Sequence, residues 1–241
     1  MQLSGYRPRM SLLDGPRVLA APAAENPWLS WRYVRDNAES IRTALIEHVL
    51  LTAESVLIAA VIGVTLAILA YQVRRLSTPI LVSTGVLYTV PSLGLLAILG
   101  PIMPSRRSAV VLALVTYALL VIVRSTLTAL LQVPGEVREA ATAMGYGRFA
   151  RLWRVELPLA LPGLLTGIRL ATVSTVALVT VGAIVGKGAL GSLLMDGFTN
   201  NFYKAQILTA AVLCVALALV LDLVLLLVGR VLTPWTRRRS A

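Results

Sequence analysis

Reactive side chains are scarce in this sequence, and their scarcity narrows the chemistry. One histidine, His48, and one cysteine, Cys214, occur among 241 residues. A lone cysteine forms no intrachain disulfide and no thiolate metal site. A lone histidine makes no histidine-rich metal centre and no histidine relay, so neither a metal nor another cofactor is expected. The stretch GKGALG, Gly186–Gly191, has the glycine spacing of a dinucleotide-binding turn. That fingerprint needs a preceding strand, a following helix and an acid about 20 residues on, whereas this stretch follows a long apolar run. It reads as a turn feeding a short re-entrant helix, Ser192 to Phe198. Gly188 stands where a phosphate-binding loop needs Ser or Thr after its lysine, and no other stretch supplies that loop. The chain therefore shows no means of hydrolysing ATP, and catalytic residues are not expected.

The remaining candidates are charges inside apolar runs. The chain is 57% hydrophobic and 14% charged, with a mean hydropathy of +0.82. Soluble domains carry about a quarter charged residues, so this composition is that of a membrane protein. Five segments are long and apolar enough to span: roughly 49–71, 80–103, 108–131, 159–185 and 205–229. The whole predicts an all-α helical membrane bundle of about five spans. Glu54, Arg124, Arg169 and Asp222 are the ionisable residues within it, and such residues are functional candidates. Glu54 lies in the outer part of the first span, close enough to the interface to reach water. At about 1.5 Å per residue, Arg124, Arg169 and Asp222 fall roughly 10–15 Å inside one common face. They are expected to form a buried charge group, with Asp222 pairing with Arg169 or Arg124. Four scattered ionisable residues do not make an intramembrane enzyme, and no internal repeat suggests an ion-driven secondary transporter.

The net charge is +11. The arginines sit in short loops and tails between apolar runs, which suits anionic lipids rather than nucleic acid. Arg74 and Arg75, the group from Arg138 to Arg154, and Arg230 with Arg237 to Arg239 share one side by alternation. That side is assigned to the cytoplasm of a multi-pass protein of the cell membrane. The arginine-bearing N-terminal segment, which falls on the other side, runs against the assignment. Residues 1–40 are expected to be a basic tail, disordered over about the first 30. A surface amphipathic helix is expected over residues 30–49, a permease domain over 41–232 and a basic C-terminal tail over 233–241.

Pro91 interrupts the second span in YTVPSLG. It removes a backbone donor and predicts a kink. Irregular backbone at that depth is tolerated where it lines a water-filled cavity. Tyr88, Thr89, Pro91, Ser92 and Gly94 are therefore candidates for a translocation path and gate, with Tyr88 offering a cation–π face.

One polar stretch, EAATAMGYGRFARLWRVELP, runs from Glu139 to Pro158 between the third and fourth spans. Glu136 and Glu139 suit the first turns of a short helix. Val137, Ala140, Ala141 and Met144 recur at helical spacing and predict one small apolar face. Gly145 and Gly147 should stop that helix. A second helix, Arg148 to Val155, should then end at Leu157-Pro158, with Pro158 and Pro162 setting the angle of the next span. From these residues alone, an ordinary loop helix packed on its own bundle is as good a reading as a surface offered to another protein.

The pattern formed by Glu139, Ala140, Ala141, Gly145, Val155, Leu157 and Pro158 resembles the EAA loop of binding-protein-dependent ABC importer permeases. The segments HVLLTAESVLIAAVIGVTLAILAY, YTVPSLGLLAILGPIMP and RLATVSTVALVTVGAIVGKGALGSLLMDGF are similar to the permeases for glycine betaine, choline, carnitine and related osmoprotectants. The resemblance implies a fold like that of type I ABC importer permeases, and a coupling helix that docks on a cytoplasmic ABC ATPase subunit. It also implies a second permease copy or a related permease, an extracytoplasmic substrate-binding protein, and osmoprotectant import. Import of an amino acid or another small organic solute is the alternative.

Overall fold

The computed structural model describes residues 26–235, so the first 25 residues and the last six, read above as tails, lie outside the described residues. Ten α-helices make up most of the described chain. Helices α1 (Trp31–Asp36) and α2 (Ala38–Gln72) are followed by α3 (Arg74–Thr89) and α4 (Ser92–Ile102). Next come α5 (Arg106–Leu131), α6 (Gly135–Ala143) and α7 (Arg148–Arg151), a π-helical turn over Leu152–Glu156, and α8 (Leu157–Val179). A 3-10 turn over Thr180–Val185, α9 (Leu190–Thr199) and α10 (Lys204–Leu232) complete the order.

Four helical stretches, Ala38–Gln72, Arg106–Leu131, Arg148–Val185 and Lys204–Leu232, are each long and apolar enough to cross a membrane. Helices α3 and α4 qualify together as a pair bent by 90°, which brings the total to five. Pro91 thus does more than kink its segment: the helix stops at Thr89 and restarts at Ser92.

Helix α5 is the axis of the bundle, with Val110, Leu114, Ala118, Ile122, Val123 and Leu130 among its buried residues. Lipid tails are as apolar as leucine, so such helices associate through close packing at small residues. Gly63 of α2 faces Ile122, whose Cγ2 would lie 2.9 Å from a Cβ placed there. Gly163 and Gly167 of α8, four residues apart on one helix face, lie against α5 at Ala129 and Ser125. A Cβ at Gly163 would stand 2.7 Å from that of Ala129, and one at Gly167 would overlap Ser125. Ser105 starts α5 as its N-cap, accepting from the Ser108 amide at 3.1 Å.

Helix α10 is the opposite case. Only 6% of its most apolar 18-residue window is buried, against 61% for α5. Its exposed residues between Val212 and Val228 are all apolar, as a lipid-facing surface requires.

The N-terminal part departs from expectation. In place of one surface helix over residues 30–49, α1 ends at Asp36, and α2 begins at Ala38 as part of the first span. Asn37 makes the joint, its side-chain amide donating to the Tyr33 carbonyl at 3.0 Å. Tyr33 and Ile41 bury against Ala205 at the start of α10, so this face meets protein rather than headgroups. The 35 residues of α2 extend about 52 Å. A hydrocarbon core is about 30 Å thick, so the start of α2 stands outside it. Two ion pairs brace that end: Lys187 Nζ to Glu47 at 2.8 Å, and Arg107 to Glu54.

The expected stop at Leu157-Pro158 is also absent, because Arg148–Val185 is one continuous helical stretch. Pro158 has no amide to donate, and its ring crowds the Arg154 carbonyl. The π-helical turn over Leu152–Glu156 changes the bonding register just ahead of it and carries the helix through.

The GKGALG glycines serve backbone packing. Gly186 ends the 3-10 turn in the left-handed region at φ +76. A Cβ at Gly188 would overlap the Ala183 backbone, and one at Gly191 the Thr180 backbone, which lets α9 fold back onto the turn. Helix α9 begins at Leu190, two residues before the expected start.

Candidate functional site

The loop between α5 and α8 lies at the end of the bundle where α2 finishes. Pro134 precedes α6 with extended ψ of 139, and Glu136 sits in the first turn. The helix closes in a Schellman turn. Gly145, at φ +83, donates to the Thr142 carbonyl at 3.0 Å, and the Tyr146 amide donates to Ala141 at 3.1 Å. A Cβ at Gly145 would meet nothing within 4 Å, so left-handed backbone alone favours glycine there.

Three arginines hold this loop. Arg148 Nε donates to Gln72 Oε1 at 2.5 Å, and its Nη2 bonds the Gln72 carbonyl, one of those left open at the end of α2. Arg138 Nη1 lies 3.4 Å from the Tyr71 hydroxyl. Arg151 donates at 2.9 Å to Thr142 Oγ1 on α6 and at 2.9 Å to Glu156. The Glu156 side chain is 1% exposed. A buried carboxylate is tolerated when paired and hydrogen-bonded, so Arg151 joins α6 to the start of the fourth span through a buried charge.

Sequence reasoning missed Glu156. A separation of five does not bring side chains together on an α-helix, where neighbours are three or four apart. The π turn between Arg151 and Glu156 removes that objection. The proline two residues beyond Glu156 was the available signal.

The expected apolar face of α6 is divided. Ala141 is buried and Val137 half-buried, whereas Glu139, Ala140, Met144 and Gly145 are exposed. A helix packed along one side on α7 and the π turn divides its residues in this way. Val155, Leu157 and Pro158 are half-buried at the root of α8 and lie apart from the exposed group.

The second group of candidates surrounds the α3–α4 break. The Val90 carbonyl accepts from the Tyr117 hydroxyl of α5 at 2.5 Å. The Tyr88 ring stands edge-on to Tyr117, with centroids 5.9 Å apart. Thr89 returns its hydroxyl to the Val86 carbonyl at 2.7 Å. Tyr88, Thr89, Pro91 and Gly94 are exposed and Ser92 is half-buried. Tyr117 lies near the middle of α5, so the break is well inside the bundle.

The third group separates. Arg169 bonds Asp222 through both oxygens, Nε to Oδ1 at 3.0 Å and Nη2 to Oδ2 at 2.7 Å. Arg124 is exposed on α5 and has no hydrogen-bond or ion-pair partner among the described residues. No group of three or more His, Cys, Asp or Glu side chains that could hold a metal occurs among the described residues.

A family model described as "Binding-protein-dependent transport system inner membrane component" matches residues 59–238. The choline transport system permease protein OpuBD of Bacillus subtilis (strain 168) is 35% identical over 208 residues, covering 86% of this chain and 92% of that protein. The osmoprotectant import permease protein OsmW of Salmonella typhimurium (strain LT2) is 36% identical over 207 residues, covering 84% of this chain and 96% of that one. A solved inward-facing structure of the MetNI methionine ABC transporter superposes with a TM-score of 0.73 at 24% identity. It covers 82% of this chain and 98% of that chain, a likeness of fold.

Proposed function

The chain belongs to the family of binding-protein-dependent transport system inner membrane components, and from that premise we propose that it imports an osmoprotectant of the glycine betaine, choline or carnitine type. It is a multi-pass permease subunit of the cell membrane. The relatives at 35–36% identity are named for choline and for osmoprotectants, which supports this substrate class.

The observation that carries the mechanism is α6. It is a short exposed helix tied to α2 by Arg138 and to α7 by Arg151, while Arg148 ties α7 to α2 and Arg151 also reaches Glu156 just ahead of α8. In this reading Glu139, Ala140, Met144 and Gly145 receive a cytoplasmic ATPase subunit. The sequence carries no phosphate-binding loop motif, and in this reading the subunit supplies the energy. The rigid ties then pass each displacement of α6 to the ends of α2 and α8. The residues at the break, exposed Tyr88, Thr89, Pro91 and Gly94 with half-buried Ser92, line the path. The Tyr88 ring gives a quaternary ammonium group a surface to pass without a counter-charge. A second permease subunit encloses the path from the other side. A binding protein delivers solute at the end where Glu47 and Lys187 pair, and anionic lipids surround the arginine-rich end.

Reconstitution tests this. The purified permease, its ATPase and its binding protein are placed in liposomes, and uptake of labelled glycine betaine, carnitine and choline is followed with and without internal ATP. Uptake of at least one that requires both ATP and the binding protein is expected. Uptake of none of them, with ATP-driven uptake of an unrelated solute, would overturn the substrate assignment.

A further inference from the structure

Arg124 is a full positive charge within a spanning helix, and none of the described residues gives it a counter-charge. A guanidinium stays charged under all relevant conditions, and charges at such depth face a bundle interior or a water-filled cavity and find a partner. Among the described residues, Arg32, Arg42, Arg107, Arg151, Arg169 and Lys187 pair with carboxylates. The acids in the inner half of the described spans are Asp222 and Glu156, and both are taken: Arg169 occupies both oxygens of Asp222, and Arg151 pairs with Glu156. A second copy of the same chain would bring the same arrangement and no spare carboxylate at this depth.

The surroundings of Arg124 say what kind of space it meets. α5 is covered by α2, α3, α4 and α8. Past its first turn, what stays open are Leu112, Arg124, Thr128 and Leu131, with half-buried Thr116 and Leu120 between them. Most of these recur every fourth residue, so they form one inclined ridge. Three of the six are polar. The exposed face of α10 between Val212 and Val228 is wholly apolar. One chain therefore presents a greasy surface suited to lipid and a separate polar ridge with a lone cation.

We propose that Arg124 is a specificity-determining residue of the translocation path, where it pairs with the carboxylate of a zwitterionic solute. The inference rests on the osmoprotectant reading and deepens it. A path with a fixed guanidinium favours solutes that carry both a quaternary ammonium and a carboxylate, as glycine betaine and carnitine do. It disfavours choline, which carries the cation alone. A bidentate contact is available to a guanidinium and not to an ammonium, so lysine is only a partial substitute.

The test uses the full complex in liposomes with saturating binding protein. Initial ATP-driven uptake of glycine betaine, carnitine and choline is compared for wild type, Arg124→Gln and Arg124→Lys. Arg124→Gln is expected to lower glycine betaine and carnitine uptake at least tenfold while leaving choline uptake equal or higher. Arg124→Lys should fall between wild type and Arg124→Gln. Equal loss for all three solutes would assign Arg124 a structural role and overturn the proposal. No change for any of them, or a change that follows the anionic-lipid content of the liposomes instead of the solute, would assign it to headgroups and overturn it too. If wild type moves none of the three, the osmoprotectant reading itself fails and takes this inference with it.

Discussion

At the end of α2 three arginines reach across the chain: Arg148 to Gln72, Arg138 to Tyr71, and Arg151 to both Thr142 and Glu156. At Pro91, in the middle of the bundle, one hydroxyl holds the broken helix, Tyr117 to the Val90 carbonyl, and one aromatic edge steadies it. Both are places where a helix stops. The first is tied to two spans, to α2 by arginine hydrogen bonds and to the fourth span through a buried charge, and such ties move its parts together. The second has one polar tie and an exposed flank, and its two halves can change angle at small cost. In the proposed reading, rigid attachment suits a part that is to receive force, and weak attachment suits a part that is to open. Between them runs α8, packed on α5 through Gly163 and Gly167.

Removing the buried charge should have the largest effect. Glu156→Ala leaves the largely buried Arg151 without its carboxylate and with the Thr142 hydroxyl alone, and breaking a buried pair from one side costs about 3–5 kcal/mol. Thermal unfolding in detergent should show this as a marked loss of stability, with the Glu156→Ala, Arg151→Ala double variant partly recovered. A double variant no better than Glu156→Ala would mean the pair does not hold the loop. Next in size is Gly167→Ala, because the added methyl overlaps Ser125. Overpacking of this kind costs about 1–3 kcal/mol. Ser125→Gly should relieve it, and no relief would place the strain elsewhere.

The smallest effect belongs to the break. Tyr117→Phe removes one hydrogen bond, with a loss of about 1 kcal/mol. Its consequence should be seen in exposure more than in stability. A cysteine at Ser92, in a Cys214→Ala background, should react faster with a polar thiol reagent once Tyr117 is Phe. An unchanged rate, or a stability loss as large as that of Glu156→Ala, would erase the contrast between the two regions.

Much of the bundle was legible because hydropathy and length alone decide which segments can span. The corner at Gly145 was legible too, since a left-handed residue after a short helix favours glycine. The size of the break at Pro91 was not. A proline predicts the loss of one donor, whereas the 90° turn is also bound by a hydroxyl from Tyr117, which lies 26 residues further along the chain. Pro158 misled in the opposite direction, because a π turn upstream lets the helix continue. Depth arithmetic placed Arg124, Arg169 and Asp222 at one level. Which arginine takes the aspartate depends on rotation about the helix axes, and that is set by contacts such as Gly163 on Ala129. Periodicity overrated the apolar face of α6 because it does not say which side the bundle covers. Helix over the residues from Trp31 to Ser40 was legible, but its break at Asn37 and its burial against protein were not, because Tyr33 and Ile41 find Ala205, a contact across most of the chain.

The central claim is that α6 is a docking surface for a partner that drives the bundle, and Gly145→Asp tests it most directly. Aspartate is among the few residues that enter the left-handed region readily, and a Cβ at this corner meets nothing within 4 Å. The fold should therefore survive while a new carboxylate stands on the proposed contact. The measurement is ATP-driven uptake by the reconstituted complex, with co-purification of the ATPase subunit and the unfolding temperature of the permease alone as companions. An unchanged unfolding temperature with uptake reduced at least tenfold is predicted. Full uptake and full ATPase binding in a normally folded Gly145→Asp permease would contradict the account.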